Sequence, residues 1–339
     1  MFKISWSDKE RIELVMYSID ELQQKLALKL KELPIYREPA GLYEPISYTL
    51  EQGGKKIRPL LVLLSNQMFG GKVDEALPAA IAIEIFHNFT LLHDDVIDQA
   101  PLRRGLETVY QKWNTNVAIL SGDTMFAIAY GELSKSNPAI LHELMKVFTT
   151  TAIEVCEGQQ YDVEFEENDH VSLDKYIKMI TLKTAVLLAA SLKIGAIIAK
   201  APVEETEKAY NFGINLGIAF QLQDDLLDTF GDQNVFGKQT GGDISANKKT
   251  VLYLKAIEES DPATQEKLKN YYSKNSLSND TKVREVTTIF ENLNVKSETE
   301  KLIESYFRKA HDIFESINVP AGHKELLHEI FLSMLKRNK

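Results

Sequence analysis

Helical punctuation runs along almost the whole chain and leaves little room for another kind of fold. Ser7-Asp8-Lys9-Glu10 has the spacing of a capping box and predicts a helix to about Glu32. The Pro- and Gly-bearing stretch Pro34 to Gly54 predicts loops. Pro59 stands near the next helix start, where its missing N–H costs little, and that helix runs to Met68 before Gly70-Gly71. Further helices are predicted from about Asp74 to Asp98 and over 116–134, 138–167, 172–199 and 204–230. Beyond the polar segment Gly231 to Asn247 come helices over 250–258, 262–273, 281–292, 298–317 and 322–337. Asp261-Pro262 marks one start and Ser297 with Glu300 another, while Ser273 to Asp280 predicts a surface loop. Strand alternation, repeats and composition shifts do not stand out, so residues 1–339 are read as a single all-α domain.

A chain of 339 residues, 44% hydrophobic, can bury a large core. The net charge of −10, without a long basic run, argues against nucleic acid as the main partner. The single cysteine, Cys156, excludes an intrachain disulfide and fits a reducing compartment. The first ten residues lack the apolar run of a signal peptide, and the most apolar window, Ala185 to Ala199, is broken by Lys193. The expectation is a cytoplasmic protein without a membrane span.

Two aspartate clusters share one spacing. Asp94-Asp95-Val96-Ile97-Asp98 ends an apolar helix, and Asp224-Asp225-Leu226-Leu227-Asp228 repeats the pattern on another. Carboxylates four residues apart lie on one helix face and repel, and a helix C-terminus disfavours them further. Two such sets on apolar helices point to bound cations. Carboxylate oxygens suit a hard ion such as Mg2+, which is commonly shared with substrate phosphates. The helical setting, without a glycine-centred 12-residue loop, disfavours a calcium site.

Cations stand near both sets. Gly53-Gly54-Lys55-Lys56-Ile57-Arg58 joins flexible backbone to three positive charges, and Arg103-Arg104-Gly105 closely follows the first cluster. Lys183-Thr184 lies within an apolar helix, where an unpaired charge would be costly. Lys238 lies in the long loop, and Lys248-Lys249 closes it. Such a loop could fold over a bound substrate and exclude water. His87 sits seven residues, two turns, before Asp94.

From about Tyr48 to Lys249 by motif, and onward by helical pattern, the sequence resembles the trans-polyprenyl diphosphate synthases. The resemblance rests on five elements in order: Gly53-Gly54-Lys55, the first aspartate motif, Lys183-Thr184, the second aspartate motif and Gly237-Lys238. It implies an isoprenoid synthase-type helical bundle around a central apolar cavity, a homodimer and three Mg2+ ions. Lys55, Arg58, His87 and Arg104 would hold isopentenyl diphosphate. Asp94, Asp98 and Asp224 would ligate Mg2+, with Asp95, Asp225 and Asp228 in support. Arg103, Lys183, Lys238 and Lys248 would grip the allylic diphosphate, and Thr184 and Gln221 would flank the developing allylic cation. The implied catalytic set is Asp94, Asp95, Asp98, Arg103, Lys183, Thr184, Gln221 and Asp224. Gly213 and Gly217, at four-residue steps before Gln221, predict close approach of a neighbouring helix.

In this family the product tail grows along the helix before the first cluster. Phe89 lies five residues before Asp94, about 7.5 Å along the axis, and a bulky ring there should floor the tunnel early. Phe86, about one turn deeper, would help. The expected product is geranylgeranyl or farnesyl diphosphate, the former favoured. The alternatives are a longer-chain synthase or a catalytically silent partner subunit. Silent subunits usually lose one aspartate motif, and here both are intact. A terpene cyclase would not need Lys55 and Arg58 and would normally carry a different second motif.

Overall fold

A computed structural model describes residues 16–168, 170–231, 241–273, 278–320 and 322–335. The regular elements of the described residues are all helical, apart from one hairpin of two-residue strands. Its helices group into two compact units.

The first unit runs to Leu141 and includes 194–201 and 319–326. It holds α1 (Ile19–Lys31), α2 (Ala40–Glu51), α3 (Ile57–Met68), α4 (Val73–Ile97), α5 (Val109–Lys112) and α6 (Thr115–Leu133). α4 is its axis, packed between α3 and α6. Ala79 to Phe86 of α4 are buried on every side, the mark of a core helix. α1 starts at a capping box, with Ser18 accepting from the Glu21 backbone and Glu21 reaching back to the Ser18 N–H. The capping box read at Ser7 lies outside the described residues. α2 corrects the reading of Pro34 to Gly54 as loops. Pro39 is its N-cap and Pro45 lies inside it, yet burial of Ile46, Ser47 and Thr49 sustains the helix.

Two strands, β1 (Leu102–Arg103) and β2 (Leu106–Glu107), pair antiparallel after α4 with Arg103 opposite Leu106. Arg104 and Gly105 turn the chain with φ of 54° and 78°, the double positive φ of a type I′ turn. The hairpin is too short to show alternation, so the sequence did not announce it.

The second unit comprises 142–193, 202–318 and 327–339. It takes most of α7 (Pro138–Glu167), then α8 (Leu173–Ile180), a π-helical turn (Thr181–Ala185), most of α9 (Val186–Ile198) and α10 (Val203–Phe230). The remaining helices are α11 (Gly242–Ser245), α12 (Val251–Glu259), α13 (Pro262–Tyr271), α14 (Asn279–Asn292), α15 (Val295–Ser316) and most of α16 (Glu325–Leu335). α10 and α15 form its main seam, filled by Phe212 and Phe314 at 5.1 Å between ring centroids. α15 begins behind Asn294 (φ 54°), without a side-chain cap, so Ser297 and Glu300 do not form the expected capping box.

Glycine sets the approach of helices around the π turn. A Cβ on Gly158 of α7 would overlap the Lys183 backbone. One on Gly217 of α10 would stand 2.5 Å from the Ala185 Cα, and one on Gly213 2.5 Å from the Ala189 Cα. The expected close approach at Gly213 and Gly217 is present. Val73–Ile97 and Leu173–Ile198 reach the length and hydropathy of a membrane span, but 72% of each apolar window is buried inside the protein.

Candidate active site

The first aspartate set closes α4, with Asp98 as its C-cap. Three carboxylates at a helix C-terminus need positive charge, and the hairpin delivers it. Arg103 brings both Nε and Nη2 to Asp95 Oδ1 at 2.7 Å, and its Nη2 lies 3.6 Å from Asp94 Oδ2. Burial pushes the Asp95 carboxyl up, against the pull of Arg103. Burial also works against charge on Arg103, but its bond to Asp95 and the nearby Asp94 and Asp98 outweigh it and raise the guanidinium.

The cations expected to hold a diphosphate lie in the same unit. Gly53 and Gly54 have φ of 78° and 114° and present bare backbone to Arg104. Its Nη1 donates to the Gly53 carbonyl, and a Cβ on Gly54 would stand 2.8 Å from Nη2. Arg58 Nη1 stands 3.1 Å from His87 Nε2, so a neutral His87 accepts there and carries its proton on Nδ1. Burial, then Arg58, holds His87 well below the usual imidazole range. Burial lowers Arg58 to about 10, still cationic at neutral pH. Lys55 is exposed. A small cleft lined by Gln52, Asn88, Asp95, Arg103 and Arg104 sets Arg104 beside the first aspartate set.

In the second unit the middle carboxylate has neutral partners. Tyr176 Oη donates to Asp225 Oδ2, Gln221 Nε2 donates to Oδ1 at 3.0 Å, and Thr184 Oγ1 donates to Gln221 Oε1 at 3.0 Å. Burial lifts Asp225 to about 7, helped by Asp224 and Asp228 and opposed by the Tyr176 and Gln221 bonds. Asp224 is exposed, and Asp228 Oδ2 accepts the Asp243 backbone N–H at 2.9 Å. Burial, then Asp228, pushes Asp243 well up. Lys183 Nζ meets Asp162 Oδ2 at 2.5 Å, which answers the cost of its charge in an apolar helix. The Lys248 backbone N–H bonds the Asp243 carbonyl at 2.9 Å, and Lys249 Nζ binds the Asn168 carbonyl at 2.8 Å. Lys238 lies outside the described residues.

The structure thus brings together Asp94, Asp95 and Arg103, then Arg58 with His87, and Thr184, Gln221 and Asp225. Sequence reasoning missed Glu84, Asp162, Tyr176, Asp243 and Phe126. Asp162 stands one turn after Gly158, and that spacing was its only signal. Phe126 of α6 completes an aromatic cluster. Its ring lies 5.3 Å from Phe89, 6.0 Å from Phe86 and 5.1 Å from Tyr130, with Phe86 5.5 Å from Phe89. Gly122 makes room for His93, whose ring stands edge-on to Phe89 at 4.8 Å.

Among the described residues no three acidic or imidazole groups form a ready cage. Mg2+ does not require one, because it favours one or two carboxylates together with substrate phosphates and water. In each set the middle carboxylate is engaged by protein donors, and the flanking pair stands one helical turn apart. That donor chemistry fits Mg2+ shared with a diphosphate.

An all-α fold with two helices that each carry an Asp-Asp-x-x-Asp set is that of an isoprenoid synthase. The polyprenyl synthetase family matches residues 39–290, and the chain belongs to that family as a prenyltransferase. It is 39% identical to the geranylgeranyl diphosphate synthase of Methanosarcina mazei over 252 residues, 74% of each chain. It is 42% identical to the geranylgeranyl pyrophosphate synthase of Geoglobus acetivorans over 254 residues, 74% of this chain and 76% of that one. A crystal structure of a geranylgeranyl pyrophosphate synthase superposes with a TM-score of 0.90 at 46% identity, covering 96% of this chain and 100% of the other.

Proposed function

We propose that the protein condenses isopentenyl diphosphate head to tail with allylic diphosphates and releases a short all-trans product, geranylgeranyl diphosphate favoured over farnesyl. The observation that carries this reading is the common plan of the two aspartate sets. Each middle carboxylate is tied to protein donors, Asp95 to Arg103 and Asp225 to Tyr176 and Gln221, beside outer carboxylates suited to a diphosphate-bound cation.

Asp94, Asp98 and Asp224 would hold Mg2+, three ions in all by family likeness, with Asp95, Asp225 and Asp228 in support. When bound, Mg2+ supplies positive charge at the leaving diphosphate. Arg103 and Lys183 add fixed positive charge there, together with Lys248 and Lys238. The allylic C1–O bond breaks, the isopentenyl alkene attacks C1, and one proton leaves as the new double bond forms. The oxygens of Thr184 and Gln221 lie toward the developing cation, and the apolar walls keep water from it. The departing diphosphate takes the proton, so a dedicated protein base is unnecessary. Lys55, Arg58, His87 and Arg104 hold isopentenyl diphosphate, with His87 acting as a neutral hydrogen-bonding group.

Phe89, Phe86 and Phe126 floor the product tunnel. A second copy of the chain covers Ile119 and Leu120, exposed on α6, giving a homodimer. The test is elongation with Mg2+, labelled isopentenyl diphosphate and dimethylallyl, geranyl or farnesyl diphosphate in turn. Linear products ending at geranylgeranyl or farnesyl support the reading. Absence of elongation from every starter, in folded protein, defeats it.

A further inference from the structure

Glu84 lies on α4, three residues before His87, and is 3% exposed. A carboxylate withdrawn this far from water must be answered by positive charge or hydrogen bonds. Lys56 Nζ stands 3.4 Å from Glu84 Oε1. Asn88 Nδ2 donates to the same oxygen at 3.1 Å and to the Glu84 carbonyl at 2.8 Å. Oε2 is buried and makes no hydrogen bond to any described residue. The Glu84 charge also reaches Arg58 and Arg104, favouring their protonated forms against burial.

Backbone geometry shows what this acid can hold in place. Lys56 is the N-cap of α3 at φ 46°, ψ 40°, a left-handed conformation costly for a residue with a side chain, and it has no side-chain cap. Lys55 stands before it, preceded by two glycines with positive φ, and the first of these, Gly53, accepts from Arg104 Nη1. The turn over 53–56 therefore places Arg104 as well as Lys55. Its last residue is anchored through Lys56 to Glu84, while the neighbouring Lys55 remains exposed.

We propose that Glu84 and Lys56 are positioning residues for the isopentenyl diphosphate site: their part-buried ion pair fixes the left-handed turn that aims Lys55 and Arg104. The adjacent lysines have different tasks, Lys55 meeting substrate and Lys56 meeting Glu84. This rests on the reading that Lys55, Arg58, His87 and Arg104 bind isopentenyl diphosphate.

Glu84→Gln keeps the shape of the side chain and an oxygen for Asn88, and Lys56→Met keeps the aliphatic stem. Each variant raises KM for isopentenyl diphosphate about tenfold. Both kcat and KM for farnesyl diphosphate stay within about twofold. The double variant is no worse than either single one, and Lys55→Met combined with Glu84→Gln loses less than the product of the two, the remaining Glu84 effect being the part carried by Arg104. Calorimetry with isopentenyl diphosphate and Mg2+, without allylic substrate, shows the same weakening in the absence of turnover.

An unchanged KM in Glu84→Gln overturns the proposal, as does multiplication of the Glu84→Gln and Lys56→Met losses. Equal rises in both KM values with a lower Tm assign Glu84 a general structural role and also overturn it. If the wild-type protein fails to bind isopentenyl diphosphate, the site reading falls and this proposal with it. Binding that survives without the predicted losses removes the role of Glu84 alone.

Discussion

Seven residues before Asp94, α4 places His87; seven before Asp224, α10 places Gly217. Five residues before, the pair is Phe89 and Ala219. α4 builds outward, its rings meeting Phe126 across the contact with α6. α10 gives space away, so that the backbone at Ala185 and Ala189 can close on it. The same signature thus sits on a helix that fills a volume and on one that removes it. Its middle carboxylate differs accordingly. Asp95 meets a guanidinium, whereas Asp225 meets a hydroxyl and an amide and is lifted to about 7. Spacing fixes which carboxylates share a face, while partners from elsewhere in the chain fix their charge.

The outer carboxylates should behave alike. Asp94→Ala and Asp224→Ala each lower kcat about 10³-fold, roughly 4 kcal/mol of transition-state stabilisation. The middle ones should part. Asp95→Asn removes the anion that answers a half-buried Arg103 and costs about 10²-fold in kcat, roughly 3 kcal/mol. Asp225→Asn costs less than about tenfold, because Asn still accepts from Tyr176 while the Gln221 amide turns over and the Thr184 hydroxyl reverses. Equal losses at 95 and 225 in steady-state assays would erase the contrast.

Gly217→Ala forces a methyl against the Ala185 Cα and lowers stability by about 1–3 kcal/mol, read as the midpoint of thermal or urea unfolding. Phe126→Ala and Phe89→Ala act on the other helix's device. Each shifts the ratio of longer to geranylgeranyl product about tenfold, or about 1.4 kcal/mol, as sized by chromatography. A shift with Phe89→Ala alone would remove α6 from the floor.

The smallest effect is at His87. His87→Gln keeps a neutral hydrogen-bonding group and changes KM for isopentenyl diphosphate by less than about threefold, while His87→Phe raises it about tenfold. Because the folded protein holds His87 neutral well below the usual range, the unfolded chain takes up its proton first as pH falls. The contribution of His87 to stability is present above about pH 6.5 and is lost with acidification. Wild-type protein therefore loses more stability than His87→Gln between pH 7.5 and 5.5 in urea titrations, about 1 kcal/mol.

Much of this was legible from single residues and their neighbours. Both aspartate sets, the cations around them and the long helices α4, α7 and α10 follow from local periodicity and charge. α2 was hidden because Pro39, Gly41 and Pro45 suppress a helix locally, while the burial that sustains it comes from distant residues. Asp162 lies 21 residues from Lys183, and Tyr176 lies 49 from Asp225. No spacing rule links either pair, because tertiary packing brings them together. Glu84 looked like one more polar residue on an apolar helix, and its meaning comes from burial beside Lys56.

The π turn at Thr181–Ala185 bears on ancestry. Hydrogen bonds from i to i+5 let one turn absorb an extra residue while the helix on either side keeps its faces. A helix lengthened by a single inserted residue takes this form. Lys183 and Thr184 lie in the bulged turn, whereas Ala189, which seats against Gly213, lies beyond it. One extra residue in the turn is thus compatible with a cation and a hydroxyl in an otherwise apolar helix and with regular packing further along, at Ala189 against Gly213. Reactive equipment of this kind can be gained or lost without redesigning the scaffold that carries it.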